Sequence, residues 1–518
     1  MPLEIQSRAR GREAQQARKF ATASGFQPQF PYVCRCAILA ALPAREESPV
    51  SHLVPADTTQ PSLPVAESWS IFCSVIDNFG DMGVCWRLAR QLVHEYGFDV
   101  TLWIDDVDAF ARFVRRNVWV AEDVQAEDVQ TEYVQGVQQE FGVHVRRWCS
   151  PWQESEQTNT AIANSAVVIE AFACELPVPV IAAMARQARP PVWINLEYLS
   201  AEPWVAGCHR LQSMHSVPVE DVHQESGASA IVTLNKTFFF PGFEQGTGGL
   251  LREKDLLGRH AAWQRDERAA RLQFMAALGL PRICGDIALW ISVFTYESPT
   301  FASWLTALGE EGQPALCLVP EGRALNSITA FLNLDEPPVV GEPVQLGTLT
   351  IAVTPFLSQD DYDCLLSLCD LNLVRGEDSF VRAQWAGKPL IWHIYPQQDD
   401  VHMEKLDAFL ALYFADGADD RSENDRADLD AWRQFCRFWN LGEDCRELWH
   451  HLRPQLPGLR QQARKWRQKL VQLPDLAENL VQFYDTAHCL GKRRSAPSSE
   501  YQATVRNINI GPSPSNSE

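Results

Sequence analysis

The chain has 518 residues and a formal net charge of −21 at neutral pH, which excludes a nucleic-acid binder, since phosphate contacts need clustered Lys and Arg. At 46% hydrophobic residues, with 17 tryptophans, it can fill two packed cores, and no apolar run approaches the roughly 20 residues needed to cross a bilayer. Its 14 cysteines include no C-x-x-C pair, which excludes a zinc ribbon or thioredoxin-type site and leaves reduced thiols in the cytoplasm as the expectation.

Residues 1–68 carry scattered arginines and then a Pro/Ser/Glu-rich piece without periodicity, and read as a disordered extension or the product of a wrongly chosen start codon. The first strand is expected at Ile71–Ile76. A turn over Asp77–Gly83 follows, and a helix with Leu88 and Leu92 on one face is expected from Val84. This strand–turn–helix unit opens doubly wound α/β domains, but Asp77 and Asp81 stand where nucleotide-binding loops keep small residues. Two anions there repel phosphate and suit a cationic or proton-donating substrate.

Val100–Ile104 reads as the second strand. The Asp106-Val107-Asp108 that follows is a metal pair in some sugar-nucleotide enzymes or, more simply, the cap of a helix. Residues 121–135 repeat a five-residue acidic unit three times, a period that fits neither helix nor strand and marks a surface insertion. Strands are expected again at Val143–Arg147 and Ala166–Ile169, and Val192–Ser200 reads as a buried strand ending in polar groups. Thr237–Glu253, aromatic and glycine-rich, reads as a long loop, and residues 259–278 as one helix with Leu272, Met275 and Leu278 on one face.

A second alternation then begins. Its strands are expected at Ile287–Phe294, Ala315–Val319, Leu349–Val353, Leu371–Val374 and Pro389–Ile394, and its helices at Phe301–Leu308, Gln359–Ser367 and Ser379–Trp385. Asp416–Asp430 reads as a second acidic insertion. Helical patterning returns from Ala431, breaks at a Pro/Gly stretch ending at Gly458, and resumes from Leu459 to Tyr484.

The candidate ligand-binding residues stand where strands of this second half end. At Arg375-Gly376-Glu377-Asp378-Ser379 a strand gives way to a helix, whose free N–H groups and partial positive charge suit a diphosphate. Arg375 would add a cation and Ser379 a hydroxyl. The plainer reading is a helix capped by Asp378 or Ser379 with no ligand. Phe294, Tyr296, Phe356, Gln359 and Tyr395 follow neighbouring strands, an aromatic face plus an amide that matches a pyrimidine base.

Five blocks, DNFGDMGVCWRLARQL, INLEYLSAE, FFFPGF with TGGLLRE, SVFTYES and VRGEDSFVRAQWAGKPLIWHIYPQ, resemble the bacterial protein-arginine rhamnosyltransferases that modify elongation factor P, the EarP family, over about residues 69–486. The resemblance implies a GT-B glycosyltransferase fold, two Rossmann-like doubly wound domains facing each other across a cleft. Their expected bounds are 69–283 for an acceptor domain with an insertion near 116–140, and 284–465 for a nucleotide-sugar domain with an acidic insertion near 416–430. A C-terminal helix over 466–486 would pack back on the first domain, and 487–518 would be a disordered tail. It further implies an inverting transfer without metal or cofactor, from dTDP-β-L-rhamnose to one arginine of elongation factor P.

Carried over by motif, Asp77 and Asp81 match the family's catalytic carboxylates and Glu377 a further residue needed for activity. Phe294, Tyr296, Phe356, Gln359, Arg375, Asp378, Ser379 and Tyr395 match the nucleotide-sugar site. Asn78, Phe79, Gly80 and Gly83 complete the substrate-binding turn around the aspartates.

The chemistry suits these residues. A guanidinium stays protonated up to a pKa above about 12, so a carboxylate cannot deprotonate it beforehand; the proton must leave late, as bonding to the sugar acidifies the nitrogen. Asp81, nearer the helix start, is the favoured proton acceptor, and Glu377 is expected to face the sugar or acceptor rather than phosphate. The alternatives are a GT-B enzyme acting on a small molecule or lipid, and a non-catalytic α/β binding protein whose aspartates merely form a turn.

Overall fold

The structure is a computed structural model that describes residues 67–75, 80–115, 141–148, 161–220, 229–280, 287, 289–397, 400–415 and 423–495. Two sheets, each wrapped by helices, divide these residues into halves. The first half runs β1 (Ser68–Cys73), α1 (Gly80–Tyr96), β2 (Asp99–Ile104), α2 (Val107–Arg115), β3 (Val143–Arg147), β4 (Ser165–Ala171), α3 (Val178–Arg186), β5 (Val192–Leu196), α4 (Val205–Cys208), β6 (Gln212–Glu220) and β7 (Ser229–Phe239). Its strand order is β3-β2-β1-β4-β5-β7-β6, parallel except for the β6–β7 hairpin.

Helices α5 (Leu256–Arg265) and α6 (Glu267–Ala277) lead into β8 (Leu289–Val293), α7 (Thr300–Glu310), β9 (Ala315–Pro320), α8 (Ala324–Leu332), β10 (Val344–Leu346), β11 (Leu349–Thr354), α9 (Gln359–Leu368), β12 (Leu371–Arg375), α10 (Asp378–Ala386) and β13 (Leu390–His393). The order here is β10-β11-β9-β8-β12-β13, with only the short β10 antiparallel. Helices α11 (Val401–Tyr413), α12 (Glu423–Leu441), α13 (Arg446–Leu452) and α14 (Leu456–Val471) cover this sheet, and α15 (Leu476–Ser495) returns to the first. In α15, Leu476, Leu480 and Tyr484 join the core of β1, β2 and α1, whereas Trp466 and Leu470 of α14 belong to the second core.

Central parallel strands lie between two helical layers, so β4 and β8 are apolar on both faces. In each sheet the order reverses once, between β1 and β4 and between β8 and β12, and open α/β sheets bind ligands at such points.

Several boundaries differ from the sequence expectation. The first strand begins at Ser68 rather than Ile71, because the buried Ser70 hydroxyl is satisfied by Ser165 Oγ at 2.8 Å and by Trp103 Nε1 at 3.2 Å. Helix α1 begins at Gly80 rather than Val84, with Asp81 in its first turn, where the helix dipole favours an acid. The helix expected over 259–278 is two, broken at Asp266, which caps the second by accepting from Ala269 N at 3.0 Å. That break turns Leu272 out to 51% exposure, while Phe274 and Met275 are buried.

The β6–β7 hairpin was not anticipated; Thr237–Phe239, expected as the start of a long loop, are the end of β7, and the strand expected over Val192–Ser200 stops at Leu196. Residues 423–430 of the acidic segment form the opening turns of α12, Gly458 lies inside α14, and the break falls instead at residues 472–475. Helix α8 and strand β10 were also unforeseen. The repeat at 121–135, residues 1–66 and the end beyond 495 lie outside the described residues. Asp106 accepts from Ala109 N at 2.8 Å as the cap of α2, and among the described residues no group of acids, histidines and cysteines is placed to hold a metal.

A candidate active site at the seam of two sheets

The helix that follows β1 and the helix that follows β12 meet end to side across the seam. Gly83 in the first turn of α1 has its carbonyl oxygen 3.0 Å from Gln359 Nε2, the first residue of α9. A Cβ at Gly83 would stand 3.2 Å from that amide and 3.5 Å from Asp378 Oδ2, so a side chain there would press on the Gln359 amide. Gln359 Nε2 also donates to Asp378 at 3.1 Å, and its Oε1 is buried without a hydrogen-bond partner. An amide expected to read a base therefore uses its N–H groups on the protein and keeps only its acceptor for a ligand.

Below this contact sits a set of charges with no counterpart in the sequence expectation. Arg87, 1% exposed on the inner face of α1, donates to both oxygens of Asp363 on α9 and lies 2.8 Å from Asp378 Oδ1. Arg382 of α10 pairs with the same Asp363 at 2.6 Å and with Glu253 at 2.7 Å. Burial opposes ionisation of Glu253, but Arg382 and Arg87 outweigh it and hold that carboxyl well below the usual range. Burial lifts Asp378 above its ordinary value against the pull of Arg87 and Arg382. The available signal was Arg87 itself, a charge placed within the apolar stripe of Val84, Leu88 and Leu92.

At the end of β12 the guanidinium of Arg375 lies over the rings of Phe294 and Tyr296, 4.7 and 4.9 Å from their centroids, and its Nη1 is buried without a partner. Tyr395, half exposed, meets Tyr296 edge-on at 5.6 Å. Burial and Arg375 push the neighbouring His393 down to about 3, so it is neutral near neutral pH and the positive charge here comes from Arg375 and from Arg323, which lies over the Tyr296 ring at 5.5 Å. Phe356 is half-buried and packs against the first core.

Helix α10 has no side-chain cap: Glu377 is its boundary residue without a capping bond, Ser379 Oγ donates back to the Arg375 carbonyl, and Asp378 is engaged with Arg87 and Gln359. The expected Asp378 or Ser379 cap is absent, and the first-turn N–H groups, which no helix satisfies internally, remain for an acceptor. Gly376 at φ +64° permits the sharp exit from β12.

Glu377 turns away from this helix start and towards the first half. It accepts from the backbone N–H of Leu199, just beyond β5, and stands 4.0 Å from Lys405 Nζ. Burial, against Lys405 and the Leu199 N–H and with Asp81 and Glu197 nearby, lifts its carboxyl to about 8. Below that pH it is neutral, which removes the expected conflict between an acid and an adjacent diphosphate. Tyr198 Oη donates to Asp81 Oδ2 at 3.0 Å, so Asp81 and Glu377 are held by consecutive residues. Asp77, Asn78 and Phe79 lie outside the described residues.

Two Rossmann-like sheets joined at their switch points, an uncapped helix start with a cation on one side and a carboxylate on the other, define a glycosyltransferase of the GT-B fold. The chain belongs to the family described as elongation-factor P (EF-P) rhamnosyltransferase EarP, whose model matches residues 69–485. It is 46% identical over 417 residues to the protein-arginine rhamnosyltransferase of Pseudomonas aeruginosa, covering 80% of this chain and 98% of that one. It is 39% identical to the protein-arginine rhamnosyltransferase of Shewanella oneidensis, over 81% of this chain and 98% of the other. Among solved structures, one described as the structural basis for EarP-mediated arginine glycosylation of translation elongation factor EF-P is similar at 34% identity with a TM-score of 0.52, covering 81% of this chain and 99% of that chain.

Proposed function

We propose that the enzyme transfers L-rhamnose from dTDP-β-L-rhamnose to an arginine side chain of elongation factor P, with inversion and without a metal, in the cytoplasm where translation factors act. The observation that carries the reading is the convergence of Asp81 from the first sheet and Glu377 from the second on Tyr198 and Leu199, beside the uncapped start of α10. A guanidinium needs acids on the acceptor side, and a nucleoside diphosphate needs cations and N–H groups on the donor side. Both are present, on opposite walls.

Binding begins with the diphosphate at Gly376–Ser379, where α10 supplies N–H groups and Arg375 a buried donor. Phe294 and Tyr296 hold Arg375 and, with Tyr395 edge-on to Tyr296, border the nucleotide, with the Gln359 Oε1 acceptor at the seam. The acceptor arginine pairs with Asp81, and Asp77, a catalytic carboxylate by the family motif, is assigned to the same guanidinium, which aims one nitrogen at the anomeric carbon. The N–C bond forms as the C–O bond to the diphosphate breaks. The acidified nitrogen passes its proton to Asp81, and dTDP leaves with its charge on the α10 start. Glu377 faces sugar and acceptor.

The test is intact-mass analysis of elongation factor P incubated with the enzyme and dTDP-rhamnose, followed by mapping of the modified residue. A gain of one deoxyhexose on one arginine supports the reading. An unchanged acceptor, or sugar on a hydroxyl side chain, overturns it.

A further inference from the structure

Two neighbouring strands, β4 and β5, each deliver one residue to a single stack behind Asp81 of α1. Phe172 directly follows β4, and its ring lies on that of Tyr198 with centroids 4.8 Å apart and planes at 30°. Tyr198 follows β5 and donates its hydroxyl to Asp81 at 3.0 Å. The turn under this stack is held in an unusual backbone state: Phe172, Ala173 and Glu175 have φ of +54°, +52° and +55°, left-handed values that non-glycine residues rarely adopt. Such conformations persist only where surrounding contacts over-determine them. Here Phe172 is 3% exposed and its N–H donates to Leu196 O at 2.7 Å.

We infer that Tyr198 is a positioning residue for the proton acceptor Asp81, buttressed by Phe172, and that the Tyr198-Leu199 dipeptide sets the spacing between Asp81 and Glu377 across the seam. This deepens the proposed transfer and rests on it. A carboxylate with free rotation presents either oxygen to the guanidinium; one whose Oδ2 accepts from a stacked phenol is restricted in rotation. The adjacent Leu199 N–H fixes Glu377 from the same backbone, so one rigid turn gauges both acids.

The test is Tyr198→Phe, which keeps the ring on Phe172 and removes only the hydroxyl. Expected are a fall in kcat of about ten- to hundredfold and an unchanged Kd for dTDP-rhamnose. The acidic limb of the pH–rate profile should also move to higher pH, because the lost hydrogen bond favoured the carboxylate form. Phe172→Leu should show the same pattern more weakly. Wild-type kcat with an unmoved acidic limb overturns the inference, as does a matched loss of kcat and donor affinity with that limb unmoved. Carbon-13 titration of the Asp81 carboxylate reads the same interaction without turnover. Its midpoint should rise in Tyr198→Phe, and an unmoved midpoint overturns the inference even if the wild type fails to modify elongation factor P, a failure that counts against the proposed transfer alone.

Discussion

Asp363 accepts from Arg87 on both carboxylate oxygens, Nη1 to Oδ2 and Nη2 to Oδ1, each at 3.1 Å, across the seam between the two sheets. Asp363 is fully buried and Arg87 is 1% exposed, so neither charge has water to fall back on. The pair therefore joins the catalytic helix of one half to the donor-site helices of the other.

Arg87→Ala should lower the unfolding free energy by about 3–5 kcal/mol, because Asp363 and Asp378 lose a buried partner. Urea denaturation followed by tryptophan fluorescence measures it. A loss below about 1 kcal/mol would mean that water enters the seam.

Asp81→Asn, and likewise Asp77→Asn, should abolish transfer while calorimetry shows donor binding intact. The amide keeps the shape but can neither pair with a guanidinium nor take its proton. A similar loss of donor affinity in both variants would make these residues structural.

Arg375→Ala should weaken dTDP binding about ten- to hundredfold, the worth of one charge-assisted hydrogen bond at about 1.5–3 kcal/mol. Arg375→Lys should recover only part of it, since a lysine keeps the charge without the flat face that Phe294 and Tyr296 hold. Titration calorimetry with dTDP alone reads both variants.

The Glu377 carboxyl titrates near 8 in the folded protein and at its ordinary 4.5 when unfolded, so between these values the folded state holds more protons. Its contribution to stability is complete below about pH 4.5 and is lost as pH rises towards 8. Glu377→Gln imitates the protonated form. Its Tm, relative to wild type, should therefore climb across that window and level off above it. A difference that stays flat with pH would show that Glu377 is ionised throughout.

The strand–helix alternation was legible because central parallel strands are apolar on both faces, as in β4 and β8. Where polar side chains find partners inside, the pattern misleads: Ser70 lies within β1, and Thr237, buried at the end of β7 and accepting from Gln212 Nε2, reads with the Pro/Gly-rich loop that follows it. The same holds in the site. Phe294 and Tyr296 follow a strand as expected and Arg375 is the last residue of one, yet nothing in the order of residues says that the rings hold the guanidinium. Ser379 and Asp378 looked like caps, because the sequence gives no account of Arg87, 291 positions before Asp378, claiming the latter. Long-range pairs of this kind are set by topology, which local periodicity does not encode.

The return of α15 to the first sheet gives the halves two covalent links rather than one, at residues 248–252 and 471–476, and these run side by side. Leu476 N donates to Leu250 O at 3.0 Å, Arg252 reaches the carbonyls of Val471 and Leu473 at 3.2 and 3.3 Å, and Gly249 passes so near Pro474 that a Cβ would stand 2.4 Å from its carbonyl oxygen. Both crossings of the chain therefore lie along one edge of the seam, like knuckles on one side of a door. A swing about that edge would have to break the buried Arg87–Asp363 pair, whereas the Tyr198–Asp81 contact, made within the first half, would travel as a unit.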